Sequence, residues 1–465
     1  MRDLSATDAT CYEICEHLRQ RYQELATAHG ESGNIIGLFF HDLVIHFTGI
    51  IIHRAARYSY GDDFMFPWVN KTYAEEPFLY PSEKYPLLRA QKGLKALIKR
   101  RGILPVVAGH AVGFGYKQQV SSRKLLKLIL HNPDIAEAYL PNLSSQKEYL
   151  KSVIDGLCKN YAIGNGAKVW ENWNRYIVTN TTDVQRPIPH KGILLGTRQI
   201  LHNRKLSLNY LQQGKEVVGF THGEISEQVF SEPIFSYSDR TLCTTNIDYG
   251  DFNAKEMPHP VLFAPRQNLR RTSNVLASCY RPNNAIKGLD LSTSKVLFIP
   301  TIYQDNYLYG PGHGYESQIY YSWHLAVVRL IRNITIKVHP KTRWRPTYPC
   351  PVEDRYLEDC INEYEVLIFD FFATGAVLAI FSDKPVIYLD IGLRSFVAEF
   401  YKDLLNRCHV INIDISESWE EQIRSGLMQL ELESKECTNT ELSKYALCTT
   451  EKLSLGRLIY DVAMS

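Results

Sequence analysis

At 465 residues, with 45% hydrophobic and 22% charged side chains, the chain is too long for one ordinary core and too apolar to remain disordered, so two domains are expected. A net charge of +2 argues against a globally basic nucleic-acid binder. The ten cysteines contain no Cys-x-x-Cys pair, and although Cys11 and Cys15 stand one helical turn apart, no second pair completes a metal site; reduced, buried thiols of a cytoplasmic protein are expected. The opening residues carry no apolar signal region, which agrees with that compartment.

Residues 8–28 have helical spacing, and glycines at 30 and 33 end the segment. The apolar run 35–52 approaches membrane length but contains His41, Asp42 and His46, each costly in lipid, so it reads as a core segment. Residues 56–90, rich in Tyr, Pro and charge, read as an irregular connection. Leu94–Arg101 reads as a basic helix, suited to a solvated face or to peripheral contact with anionic lipid. Residues 102–110 form a strand running into a glycine-containing loop, which lacks the lysine of a phosphate-binding P-loop, and 122–160 alternate helical pieces with turns. Strand 192–196, helix 198–212 and strand 216–224 then make a βαβ crossover, the unit of a parallel sheet.

Four prolines between 255 and 290 (Pro258, Pro260, Pro265, Pro282) suggest an interdomain link. Beyond it the βα alternation resumes: strands at 295–300, 334–338, 365–370, 385–389 and 409–413, with helices at 319–332, 353–363 and 374–382 and another between the last two strands. The expected organisation is therefore an amino-terminal α/β domain over 1–255, a linker over 256–290, a doubly wound domain over 291–430 and a helical tail over 431–465.

Open parallel sheets bind ligands beyond the carboxyl ends of their strands, which makes the strand exits the candidate site. In Lys337-Val-His-Pro-Lys341, Pro340 restricts the backbone behind His339, and Lys341, Arg343 and Arg345 add positive charge, as a phosphate-binding imidazole would need; a strand-capping histidine on a solvated loop is the plainer alternative. Thr374 falls where a helix begins, able to cap it or to meet an anion there, and Gly375 permits close approach. The exits at His339 and Thr374 are expected on neighbouring strands of one edge. Thr221-His-Gly-Glu224 places two groups suited to proton transfer, His222 and Glu224, at another exit, and the Tyr- and Gly-rich loop from Tyr303 to Gly314 could form a cleft rim.

Taken together, His339-Pro340, Asp370, Thr374 and the Lys384-Pro385-Val386-Ile387 strand resemble the donor domain of bacterial surface-polysaccharide transferases of the GT-B type that use cytidine nucleotides. These are the Kdo and sialic-acid transferases and, more distantly, the CDP-glycerol polymerases. The resemblance covers residues 290–425 and implies two Rossmann-like domains facing a central cleft. It also implies transfer of a sugar, a 2-keto acid sugar such as Kdo, sialic or pseudaminic acid, from a CMP-activated donor to a surface glycan or lipid-linked acceptor, without a metal or other cofactor. Donor contacts would come from His339, Pro340, Lys341, Asp370, Thr374, Gly375 and Tyr303, with His222 or Glu224 as base. The polymerases carry Trp-His-Gly where this chain has Thr221-His222-Gly223. Two alternatives stay open: a CDP-polyol phosphotransferase, and a non-catalytic nucleotide- or glycan-binding component of an assembly complex.

Overall fold

The computed structural model describes residues 6–30, 34–55, 106–108, 129–131, 138–182, 184–185, 187–188, 192–195, 198, 201–220, 239–251, 268–272, 289–300, 317–338, 347–394, 396–414, 417–432 and 442–446.

The amino-terminal half opens with helices α1 (Ala6–His29) and α2 (Ile35–Ala55). Ile14, Leu18, Tyr22 and Leu25 form one stripe of α1 and pack against α2. Residues 34–50 are buried without exception, because α2 is enclosed by α1, α3 (Leu143–Asn160) and α5 (Leu201–Gln212), with α4 (Gly166–Asn180) beside them. Several of its polar groups are answered internally. Asn34 caps the helix through Oδ1, which accepts from the amides of Ile36 and Gly37 at 3.0 and 3.2 Å. Asp42 takes a 2.6 Å ion pair from Arg204 of α5, and His46 Nδ1 accepts from the Trp173 indole at 2.9 Å. The apolar run is thus a core helix, and no described helix is long and apolar enough to cross a membrane.

Strands β1 (Val106–Ala108), β2 (Ile129–His131), β5 (Gly192–Leu195), β6 (Glu216–Phe220), β7 (Thr245–Tyr249) and β8 (Asn268–Thr272) form a parallel sheet in the order β2-β1-β5-β6-β7-β8. A separate two-stranded sheet joins β3 (Ala138–Tyr139) to β4 (Thr181–Thr182). The crossover β5–α5–β6 is as the sequence predicts. Two elements depart from the prediction. Ile129–His131, expected among helical pieces and turns, is a strand, since a short apolar run suits a buried strand as well as a helix. Asn268–Thr272, expected in the linker, is the edge strand of the first sheet, and the prolines that suggested a link flank it.

The second sheet is parallel throughout, with β9 (Val296–Ile299), β10 (Ile334–Ile336), β11 (Val366–Phe369), β12 (Val386–Asp390) and β13 (His409–Asn412) in the order β10-β9-β11-β12-β13. The two-residue period of the strands assigns the helices to its faces. Val296, Phe298, Val366 and Ile368 meet α6 (Ser317–Leu330) and α10 (Trp419–Leu432). Leu297, Leu367, Phe369 and Tyr388 meet α7 (Leu357–Cys360), α8 (Thr374–Phe381) and α9 (Ala398–Arg407). With both faces covered, the strands read as continuous apolar runs, which is why they were legible.

The helix expected at 353–363 shrinks to one turn, α7, followed by a 3-10 turn over Ile361–Glu363. Pro351 biases its predecessor toward extended backbone, and Val352 bridges Ile336 while the Glu353 amide donates to the Ile336 carbonyl at 2.8 Å. The start of that segment therefore extends the sheet. The chain is α/β with two doubly wound parallel sheets, and in each the strand order reverses once, between β1 and β5 and between β9 and β11.

Candidate active site

Ligands of such sheets sit at the carboxyl edge where the strand order reverses, because loops there diverge to opposite faces and leave a crevice. In the second sheet that point lies between β9 and β11. His339 follows the end of β10 and Thr374 follows β11. These strands are not neighbours, as the sequence suggested; they flank β9 on either side. The correction centres the edge on β9, the first strand of the half.

Asp370 is wholly buried, and its Oδ2 accepts from the Trp323 indole at 2.8 Å and lies 3.5 Å from His324 Nε2. The strand period explains this: Val366, Ile368 and Asp370 share one face, the face that α6 covers. Burial holds the His324 imidazole below its ordinary range more strongly than Asp370 raises it. The histidine also packs edge-on to Phe298 and reaches the Tyr348 hydroxyl at 3.3 Å. Asp370 thus anchors α6 to the strand exit, on the opposite face from α8.

Thr374 is the first residue of α8 and the capping position falls on Ala373, so of the two roles open to the threonine the cap belongs to its neighbour. Alanine offers no oxygen to the first amides of the helix, and this leaves the amino end of α8 without a side-chain cap from Ala373. Gly375 has a packing reason: a Cβ there would stand 3.2 Å from Ile299 Cγ2 and 3.5 Å from Leu357 Cδ2, so glycine lets α8 lie close on the end of β9.

Sequence reasoning passed over Arg394. It leaves β12 in the stretch Asp390-Ile-Gly-Leu-Arg394 and is 5% exposed. Its Nε donates to the Phe372 carbonyl at 3.3 Å, and its guanidinium lies 4.0 Å from the centroid of the Phe371 ring. Burial lowers its pKa to about 9, which still leaves it charged at neutral pH. A cation is thereby held against the 371–372 backbone that leads into α8. The available signal was an arginine a few residues past a strand exit, the same rule that selected His339.

His339, Pro340, Lys341 and Tyr303 lie outside the described residues, as do His222, Glu224, the basic segment 94–101 and the connection 56–90. In the chain His222 and Glu224 come shortly after Phe220, the last residue of β6.

No protein-family model and no curated protein matches the chain. Among solved structures, it is similar to MnaA of S. aureus in complex with UDP, at 12% identity over 76% of this chain and 90% of that one, with a TM-score of 0.37. The spinosyn rhamnosyltransferase SpnG aligns at 12% identity over 69% and 82%, TM-score 0.34. The glycotransferase of kitacinnamycin aligns at 11% identity over 74% and 89%, TM-score 0.36. Scores this low do not establish a common fold, and the architecture rests on the two sheets themselves.

Proposed function

We propose that the protein is a glycosyltransferase of GT-B-like arrangement, moving a sugar from a nucleotide-activated donor to a glycan or lipid-linked glycan acceptor. A CMP-linked 2-keto acid sugar is the first choice of donor. The observation that carries this reading is the second sheet's reversal point: the start of α8, whose capping residue is Ala373, with the buried Arg394 against the backbone leading into it. Helix amides and a guanidinium together favour a bound phosphate, and they stabilise it further as negative charge grows on the leaving nucleotide. In this reading His339 and Lys341 supply further donors from beyond β10, and His222 or Glu224 takes the acceptor's proton. The positive groups do the work a divalent cation could do, so turnover should survive a chelator.

Thermal-shift titration with CMP, CDP, UDP, TDP, GDP and ADP tests the grip, because a ligand that binds only the folded chain raises the midpoint. One nucleotide should stand out, and Arg394→Gln and His339→Ala should each weaken it about tenfold or more, a loss of about 1.4 kcal/mol. If no nucleotide shifts the midpoint, or if both variants bind like the parent, the donor site is elsewhere. The pair His222-Gly223 keeps CDP-polyol transfer as the second reading; product analysis with each donor separates a sugar adduct from a phosphoglycerol adduct.

A further inference from the structure

The carboxyl edge of the first sheet contains a buried cation, Arg198, that no acid meets among the described residues. Arg198, three residues past β5, is 0% exposed. Arg204 sets its backbone: Nη1 of Arg204 donates to the Arg198 carbonyl at 2.8 Å, while its Nε and Nη2 are tied to the Leu38 carbonyl and Asp42, each at 2.6 Å. The Arg198 side chain lies over Gly219 of β6, where a Cβ would be 1.8 Å from Nη1, so any other residue would displace the guanidinium. Nη2 donates to Asn246 Oδ1 of β7 at 2.8 Å, a neutral acceptor.

The acid that shares Asn246 with Arg198, Asp248, is already engaged. Asp248 accepts from Asn246 Nδ2 at 2.7 Å and from the Arg240 guanidinium. Among the described residues no hydrogen-bond partner meets Arg198 Nε or Nη1 and no carboxylate pairs with it. A charged group removed from water without a counter-charge is among the costliest arrangements in a protein, whereas one oxyanion on those nitrogens relieves it by a charge-assisted hydrogen bond.

The geometry points to an anion-binding site at Arg198 for a carboxylate or phosphate oxyanion, seated over Gly219 and flanked by Asn246. It stands on the sheet that does not carry the proposed donor grip. If that first sheet is the acceptor side, an assignment that rests on the reading above, the acceptor is an acidic glycan; the anion site itself is independent of that reading.

Calorimetric titration of the full chain with glucuronate, inorganic phosphate and glucose tests it. At least one of the two anions should bind saturably and glucose should not; the stronger of the two identifies carboxylate or phosphate as the recognised group. Arg198→Gln and Gly219→Ala should each weaken that binding about tenfold or more. His339→Ala, altered only at the donor edge, should leave glucuronate binding unchanged. If Arg198→Gln does not fold by circular dichroism, the Gly219→Ala and glucose comparisons decide. Absence of anion binding to the parent, equal binding of glucose, or unchanged affinity in the folded variants would overturn the site and leave water as the partner of Nε and Nη1. Failure of the donor reading would look different: no nucleotide binds while the anion titration is intact.

Discussion

His324 lies out of contact with water between Asp370, Tyr348 and Phe298, and its titration is coupled to the stability of the second sheet. Burial lowers its pKa in the folded chain, while the unfolded imidazole titrates near its ordinary value of about 6.5. Between those two values the unfolded chain binds more protons, so stability falls as pH drops through that range and is retained above it. Urea unfolding at pH 7.5 and 5.5 should show this fall, and His324→Phe should reduce it by up to about 1.4 kcal/mol per pH unit. An identical pH slope in the variant would assign the loss to other buried groups. Asp370, which the resemblance implies as a donor contact, is turned toward α6 by its parity along β11, a placement that the sequence alone does not reveal.

Among the elements, α8 is the one whose position the candidate site depends on. It is short and almost wholly apolar, it packs on β9 and β11, and the glycine in its first turn permits that approach. Gly375→Val should drive side-chain atoms into Ile299 and Leu357 and cost about 1–3 kcal/mol of stability, the usual range for overpacking. It should also weaken nucleotide binding by moving the helix start. Stability lost with affinity intact would separate the helix from the ligand. Helix α5 makes the contrasting case. It is buried on two sides, between the first sheet and the layer of α1 to α4, so it lacks an amphipathic stripe and was still legible through the βαβ spacing.

At the scale of the molecule, the two halves are joined through a short helix near the end of the chain, α11 (Ser443–Ala446). The Lys444 carbonyl accepts from the Asp251 amide at 2.8 Å, just past β7, while Lys444 Nζ lies 2.7 Å from Glu399 and 2.8 Å from Asp403 on α9. Tyr445 packs edge-on against Phe400 and its hydroxyl donates to Asp403 at 2.8 Å. At Gly250 a Cβ would meet the Lys444 carbonyl oxygen at 2.5 Å, so the contact depends on a residue with no side chain. Tyr445→Ala should cost about 3–5 kcal/mol, the range for removing a large buried aromatic, measured by urea unfolding. A loss below about 1 kcal/mol would mean that the segment contributes little to holding α9 in place.

What the sequence determined by itself is what repeats locally: the α1 stripe, the apolar strands and the βαβ spacing. Those follow from periods of 3.6 and 2 residues and need no knowledge of distant partners. Tertiary structure alone decided the rest. Strand order put β9 between the two exits that looked adjacent, pairing drew Asn268–Thr272 out of the supposed link, and parity turned Asp370 to the α6 face. It also buried Arg394 beside the start of α8 and Arg198 over Gly219. An arginine's local sequence does not distinguish solvent from core, because its burial is set by residues tens of positions away that fold onto it.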